Sequence, residues 1–166
     1  FLNGKSLGER TLEPKKVLHV AWSVPYEPGE LKVVAKKDGT VVTTDVVHTA
    51  GEPAKIELTA DRSSIAADGN DLSFVTVKIL DKNGNLCPNA SQNMTYAIEG
   101  PGSIAGLDDG DATNHQRFQG TEHHVFHGMG LAIIRGSTTA GAIHLKVSTP
   151  GLPDAQIEIT TQSKRF

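Results

Sequence analysis

Apolar and polar residues alternate through much of the chain, most regularly over residues 72–86. Val75, Val77 and Ile79 recur at period two with Thr76 and Lys78 between them, the pattern of a strand that buries one face and wets the other. Asp81-Lys82-Asn83-Gly84-Asn85 follows as a turn, since Asn and Gly accept positive φ at little cost. On the N-terminal side, Phe1 to Leu7 reads as strand, Asn3-Gly4 turn, strand. Residues 17–24 alternate with Leu18, Val20, Trp22 and Val24 on one face, which makes Trp22 a core anchor. Pro25 and Pro28 force a loop. Leu31, Val33 and Ala35 resume the alternation, Lys37-Asp38-Gly39-Thr40 turns, and residues 41–48 return. This all-β unit ends near Gly51, and Gly51-Glu52-Pro53 is a short linker.

A second series starts at Ile56, Leu58 and Ala60, turns at Ala67-Asp68-Gly69-Asn70-Asp71, and runs into the strand described first. Met94, Tyr96 and Ile98 form the next strand, stopped by Gly100-Pro101-Gly102. After Leu107 the pattern predicts one long irregular stretch, residues 108–130, holding four of the seven histidines. Residues 131–134, Ile143-Leu145-Val147 and Ile157-Ile159 give three more strands. Strands at this spacing without a helical period predict an all-β chain of two immunoglobulin-like β-sandwich modules. The first spans residues 1–51 and is truncated at its N-terminus; the second spans residues 52–166. No internal repeat relates them. The opening Phe1-Leu2-Asn3-Gly4-Lys5 lacks Met and reads as half of a hairpin, which predicts a piece of a larger protein.

Composition supports this picture. Seventeen Gly and eight Pro beside five Phe, two Tyr and one Trp suit short strands joined by turns. A net charge of -3 gives no concentrated basic face, so nucleic acid is not an expected partner. Lys15-Lys16 and Lys36-Lys37 are isolated doublets that suit solvated edges. No apolar run reaches the ~20 residues of a membrane span. The single cysteine, Cys87, has no thiol with which to form an internal disulfide, and is expected to be a small packing residue.

Candidate chemistry is sparse. His115, His123, His124 and His127 lie near Asp108, Asp109, Asp111 and Glu122, so nitrogen and oxygen ligands for a metal are present in sequence. Adjacent or alternate strand residues point apart, however, and a solvated loop with ordinary hydrogen bonds explains the cluster. Asp108-Asp109-Gly110-Asp111 reads as a charged turn before it reads as a calcium site. Asp81 to Asn85 lacks both the EF-hand glycine position and its helices. Glu27 and Glu30 flank a Pro-Gly turn, and nothing sets them at the ~5 Å that retaining glycoside hydrolysis requires. No Gly-x-Ser-x-Gly elbow or phosphate loop occurs. Asn89-Ala90-Ser91 and Asn93-Met94-Thr95 match glycosylation sequons, which matter only in a eukaryotic secretory pathway.

Phe1-Leu2-Asn3-Gly4-Lys5-Ser6-Leu7-Gly8, Trp22-Ser23-Val24-Pro25-Tyr26-Glu27-Pro28-Gly29-Glu30-Leu31-Lys32 and Thr49-Ala50-Gly51-Glu52-Pro53-Ala54 come first among several blocks. Leu58-Thr59-Ala60-Asp61-Arg62, Asp71-Leu72-Ser73-Phe74-Val75-Thr76-Val77, Glu99-Gly100-Pro101-Gly102 and Ile104-Ala105-Gly106 follow in the same order. With Asp109-Gly110-Asp111 and residues 128–135, they resemble the C-terminal region of bacterial glycoside hydrolase family 2 enzymes of the β-galactosidase type. The second unit also resembles the bacterial immunoglobulin-like repeats of invasin-type adhesins through its Asp-Lys-Asn-Gly-Asn turn.

The resemblance implies a non-catalytic accessory region of an enzyme whose two catalytic glutamates sit in an upstream (β/α) barrel. No stretch here resembles that barrel, so no catalytic, cofactor-binding or metal-binding residue is carried over, and no cofactor is expected. The implied partners are the remaining domains of the parent hydrolase and, through Tyr26 as a possible carbohydrate contact, glycans. A periplasmic or extracellular location is implied likewise. The rival readings are a carbohydrate-binding module and an adhesin-type repeat that binds a protein. The histidine-rich run departs from the family's usual loop, which carries fewer histidines.

Overall fold

The structure, a computed structural model, describes residues 1–13, 15 and 18–163. Every regular element among them is a strand: β1 (Glu30–Lys37), β2 (Thr40–His48), β3 (Pro53–Ala60), β4 (Ser64–Ala66), β5 (Leu72–Asp81), β6 (Asn93–Glu99), β7 (Gly102–Asp108), β8 (Glu122–His124), β9 (Met129–Gly136), β10 (Gly141–Ser148) and β11 (Ala155–Gln162). The chain divides into two units, Phe1–Thr49 and Ala50–Phe166.

The first unit is a two-stranded ribbon. β1 and β2 pair antiparallel about Asp38 and Gly39, whose φ angles of 51° and 79° make the type I′ turn that suits strand twist. Asn3 and Gly4, at 50° and 80°, repeat that turn, but the flanking residues contribute only the bridge Leu2 to Lys5. Leu2 also bridges Leu31, and Asn3 ties the turn to the ribbon by accepting from the Glu30 amide at 2.9 Å.

No strand flanks the Asn3-Gly4 turn, and two further expectations fail in this unit. Residues 18–24 carry no strand, and Leu18 is 92% exposed; Val17 and Lys16 lie outside the described residues. Trp22 is half-buried rather than a core anchor, with the Arg10 guanidinium 5.7 Å over its ring. Alternation fixes which side chains share a face, but a strand also needs a neighbour for its backbone groups. Among the described residues no strand pairs with this stretch.

In the second unit, a four-stranded sheet in the order β3-β5-β9-β7 faces a five-stranded sheet in the order β4-β11-β10-β6-β8. Neighbours are antiparallel except β4, which lies parallel to β11. Val75, Val77, Ile79, Leu107 and Ile134 from the first sheet meet Met94, Tyr96, Ile143, Leu145, Val147 and Ile159 from the second in one continuous core. Burial of these side chains supplies most of the stability, at about 1.5–3 kcal/mol for each large one. Cys87 and Ala90, from the connection between β5 and β6, fill gaps in the same core.

The turn after β5 is held by one carboxylate. Asp81 is buried and accepts from the amides of Gly51, Asn83 and Asn85, each at 2.8 Å, and from the Asn85 side chain at 3.0 Å. These donors, the Gly51 amide above all, hold its pKa far below the usual carboxylate range. The residue read as turn chemistry thus fastens the start of the second unit to its central strand.

The stretch 108–130 is not irregular throughout. β8 lies inside it and pairs with β6, and Phe126-His127-Gly128-Met129 forms a tight hairpin into β9. His127 and Gly128 have φ of 50° and 75°. A Cβ at Gly128 would collide with the Cys87 carbonyl, so the turn has a steric as well as a conformational need for glycine.

Candidate functional site

β7 ends at Asp108 and the chain turns on its own acidic side chains. The Asp108 carboxylate accepts from the amides of Asp109 and Gly110 at 2.8 and 3.1 Å, and Asp109 accepts from the amide of Asp111 at 2.9 Å. Asp111 in turn accepts from the Thr113 amide and hydroxyl at 2.8 and 2.7 Å, and these two bonds lower its pKa. The bonds from the Gly110, Asp111 and Thr113 amides, each two residues on, are Asx-type bonds that bend the backbone locally. The carboxylates are therefore occupied in shaping the loop.

The returning chain brings β8 alongside, and its middle residue points inward. The His123 and Asp109 side chains are both nearly fully buried, with His123 Nδ1 4.0 Å from Asp109 Oδ2. The same nitrogen lies 3.1 Å from the His124 carbonyl, and Asp109 Oδ2 accepts from Asn114 Nδ2 at 2.7 Å. Tyr96 is buried close enough for the Asp109 charge, after burial itself, to push its phenol pKa up; its hydroxyl has no hydrogen-bond partner among the described residues.

Asp108, Asp109, Gly110, Asp111, Ala112, Asn114, Phe118 and His123 line an open cavity of about 240 Å³. That is below the ~300 Å³ at which small-molecule sites usually begin.

The histidines grouped in sequence are separated in space by strand geometry. His123 points into the sandwich, His124 turns outward with Nδ1 2.9 Å from Gln116 Oε1, and His127 sits in the hairpin with Nδ1 2.9 Å from the Pro88 carbonyl. Among the described residues no three His, Cys, Asp or Glu side chains are arranged to hold a metal ion. The buried placement of His123 corrects its reading as part of a solvated loop. The signal available in sequence was its i, i+2 spacing from Val125, which is buried beside it.

The other candidates lie apart from this cavity. Tyr26 is 78% exposed in the loop before β1, Glu27 is exposed beside it, and Glu30 is half-buried at the strand's start. Tyr96, at period two with Met94 and Ile98, is fully buried. Cys87 is buried, which raises its thiol pKa and leaves it a packing residue rather than a nucleophile.

Residues 56–158 match the family described as glycoside hydrolase family 2 C-terminal domain 5, and residues 1–43 match a domain of unknown function, DUF4982. The chain is 42% identical over 162 residues to the β-galactosidase BoGH2A of Bacteroides ovatus, covering 98% of this chain and 19% of that enzyme. It is 24% identical to a β-glucuronidase of Formosa agariphila, covering 96% of this chain and 16% of that protein. Among solved structures, a glycosyl hydrolase family 2 member from Bacteroides cellulosilyticus superposes with a TM-score of 0.92 at 34% identity, covering 99% of this chain and 21% of the other. A β-glycosidase from Bacteroides vulgatus gives 0.90 at 27%, covering 97% and 20%. The chain thus spans about a fifth of the length of these relatives.

Proposed function

The chain belongs to the C-terminal region of glycoside hydrolase family 2, and from that premise we propose that it is a non-catalytic accessory part of a β-galactosidase-like glycosidase. Cleavage of the O-glycosidic bond is assigned to other parts of the longer polypeptide. The observation that carries this reading is the match of 98% of the chain to only 19% of a β-galactosidase. The chemistry of the cavity beside β7 agrees with it: the Asp108, Asp109 and Asp111 carboxylates are engaged by backbone amides of their own loop. A general acid and a nucleophile need carboxyl groups that face a shared substrate. The role assigned to the chain is to pack against the other domains of the hydrolase.

The test compares the isolated chain with the full-length enzyme on 4-nitrophenyl β-galactoside and β-glucuronide. Turnover by the full-length enzyme and none above blank by the isolated chain is expected. Turnover by the isolated chain overturns the reading.

A second reading rests on Tyr26, an exposed ring between two prolines that limit the loop's freedom. Such a ring can stack on a sugar face, which makes a glycan a possible ligand of the first unit. Saturable binding of a galactoside to the isolated chain, lost on Tyr26→Ala, is the result this reading requires.

A further inference from the structure

The two solvent faces of the second unit differ in chemistry. On the five-stranded sheet the outward positions include Thr95, Glu99, Glu122, Lys146 and Glu158, with Ala97 among them, a mainly polar face as expected of a sheet covered on one side only. On the four-stranded sheet the outward positions of β5 and β9 include Phe74, Leu131, Ile133 and Met129.

Cross-strand register makes these a stripe. Phe74 lies directly opposite Ile133 and Thr76 opposite Leu131, while Met129 has Lys78 opposite it on β5 and Phe126 opposite it across the hairpin. Directly opposite side chains on one sheet face are in contact range. Phe74, Met129 and Phe126 remain 39%, 38% and 36% exposed, although each could have been polar at no cost to the core. Beside the stripe, Gly106 stands opposite Ile133 and is buried, with the Ile133 side chain and the Phe118 carbonyl against it. The rim carries both signs, with Glu57 opposite Lys78 on one side and Asp108 and Arg135 on the other. An apolar centre inside a mixed-charge rim suits a folded protein surface. It lacks the one-sided basic character of a membrane or nucleic-acid face.

We propose that this stripe is a docking surface for another folded domain of the same hydrolase polypeptide. The choice of occupant follows from chain length. The relatives carry about four-fifths of their residues outside the region matched here, and a tethered domain is present at an effective concentration on the order of millimolar. A second copy would have to compete with that from solution. The inference rests on the accessory reading above and names the surface through which it works.

The test places single cysteines in the full-length hydrolase at Phe74→Cys and Met129→Cys on the stripe, and at Glu158→Cys on the polar face. Maleimide labelling is timed in each and compared with the same substitution in the isolated chain. Labelling at the two stripe positions is expected to be about tenfold or more slower in the full-length enzyme, and unchanged at Glu158→Cys. Equal rates in both proteins at all three positions overturn the stripe proposal while leaving the accessory reading intact. Protection that appears only as protein concentration rises overturns the choice of occupant in favour of a second copy. The failure of the accessory reading would be seen elsewhere, as glycoside turnover by the isolated chain.

Discussion

Leu31, Val33 and Val47 share one side of the β1–β2 ribbon and are 45%, 50% and 62% exposed, whereas Val75, Val77 and Ile79 on β5 are all at 0%. Both sets follow the same period of two. The difference is what stands opposite. β5 has a strand on each side and a second sheet over its apolar face, so its valines leave water completely. Among the described residues the ribbon has no second layer within its own unit, and a two-stranded hairpin alone is marginal in water. The alternation marks a face to be covered; it does not say whether the cover belongs to the same unit.

Side-chain truncation should separate the two regions most widely. Ile79→Ala is expected to cost about 2–5 kcal/mol in urea unfolding of the isolated chain, because the methyl groups it removes line a closed core. Val33→Ala is expected to stay within about 0.5 kcal/mol, since that side chain already meets solvent. Comparable losses at the two positions would mean that the ribbon has a buried face of its own.

Acid should act next, and on the second unit. The folded state holds the Asp81 carboxylate at a depressed pKa, so its contribution is fully present above the unfolded value of about 3.9. It is lost as pH falls below that value toward the folded pKa, where the unfolded chain binds the extra proton first. Asp71, lowered by the Ala66 amide and the Arg62 guanidinium, acts in the same direction. Asp81→Asn should therefore lower the urea midpoint at pH 7 and flatten its decline as pH falls from about 4 to about 2. An unchanged slope would remove Asp81 from the account.

Tyr96→Phe is expected to have the smallest effect. Among the described residues the buried hydroxyl has no partner, so its removal leaves none of them unsatisfied. Thermal unfolding should show no loss, or a gain of about 1 kcal/mol or less. A large loss would reveal a bond through buried water linking Tyr96 to its surroundings.

What the sequence disclosed follows from how each strand is built. β5, β6, β10 and β11 were legible because aliphatic residues recur on every second position without interruption. β7 was not: its register shifts between Ile104 and Gly106, which breaks the period, and Gly102, Ala105 and Gly106 dilute the apolar signal. β4 and β8 are three residues each, too short for a period, and β8 hides a buried histidine among polar neighbours. The segment at 18–24 shows the opposite failure, with a clean alternation and no strand to pair with. The candidate site was half legible. Its acidic and histidine residues stood out by composition, but only the pairing of β8 with β6 decides that His123 turns inward toward Asp109 while His124 turns away. The family resemblance was carried by blocks of residues in order and did not depend on reading those strands correctly.

The contrast between a second unit with a closed core and a first unit whose described residues form none is tested most directly by amide hydrogen exchange on the isolated chain. Amides of β5, β9 and β10 should be protected to nearly the full unfolding free energy, while those of β1 and β2 exchange far faster. Equal protection in the two regions would contradict the account.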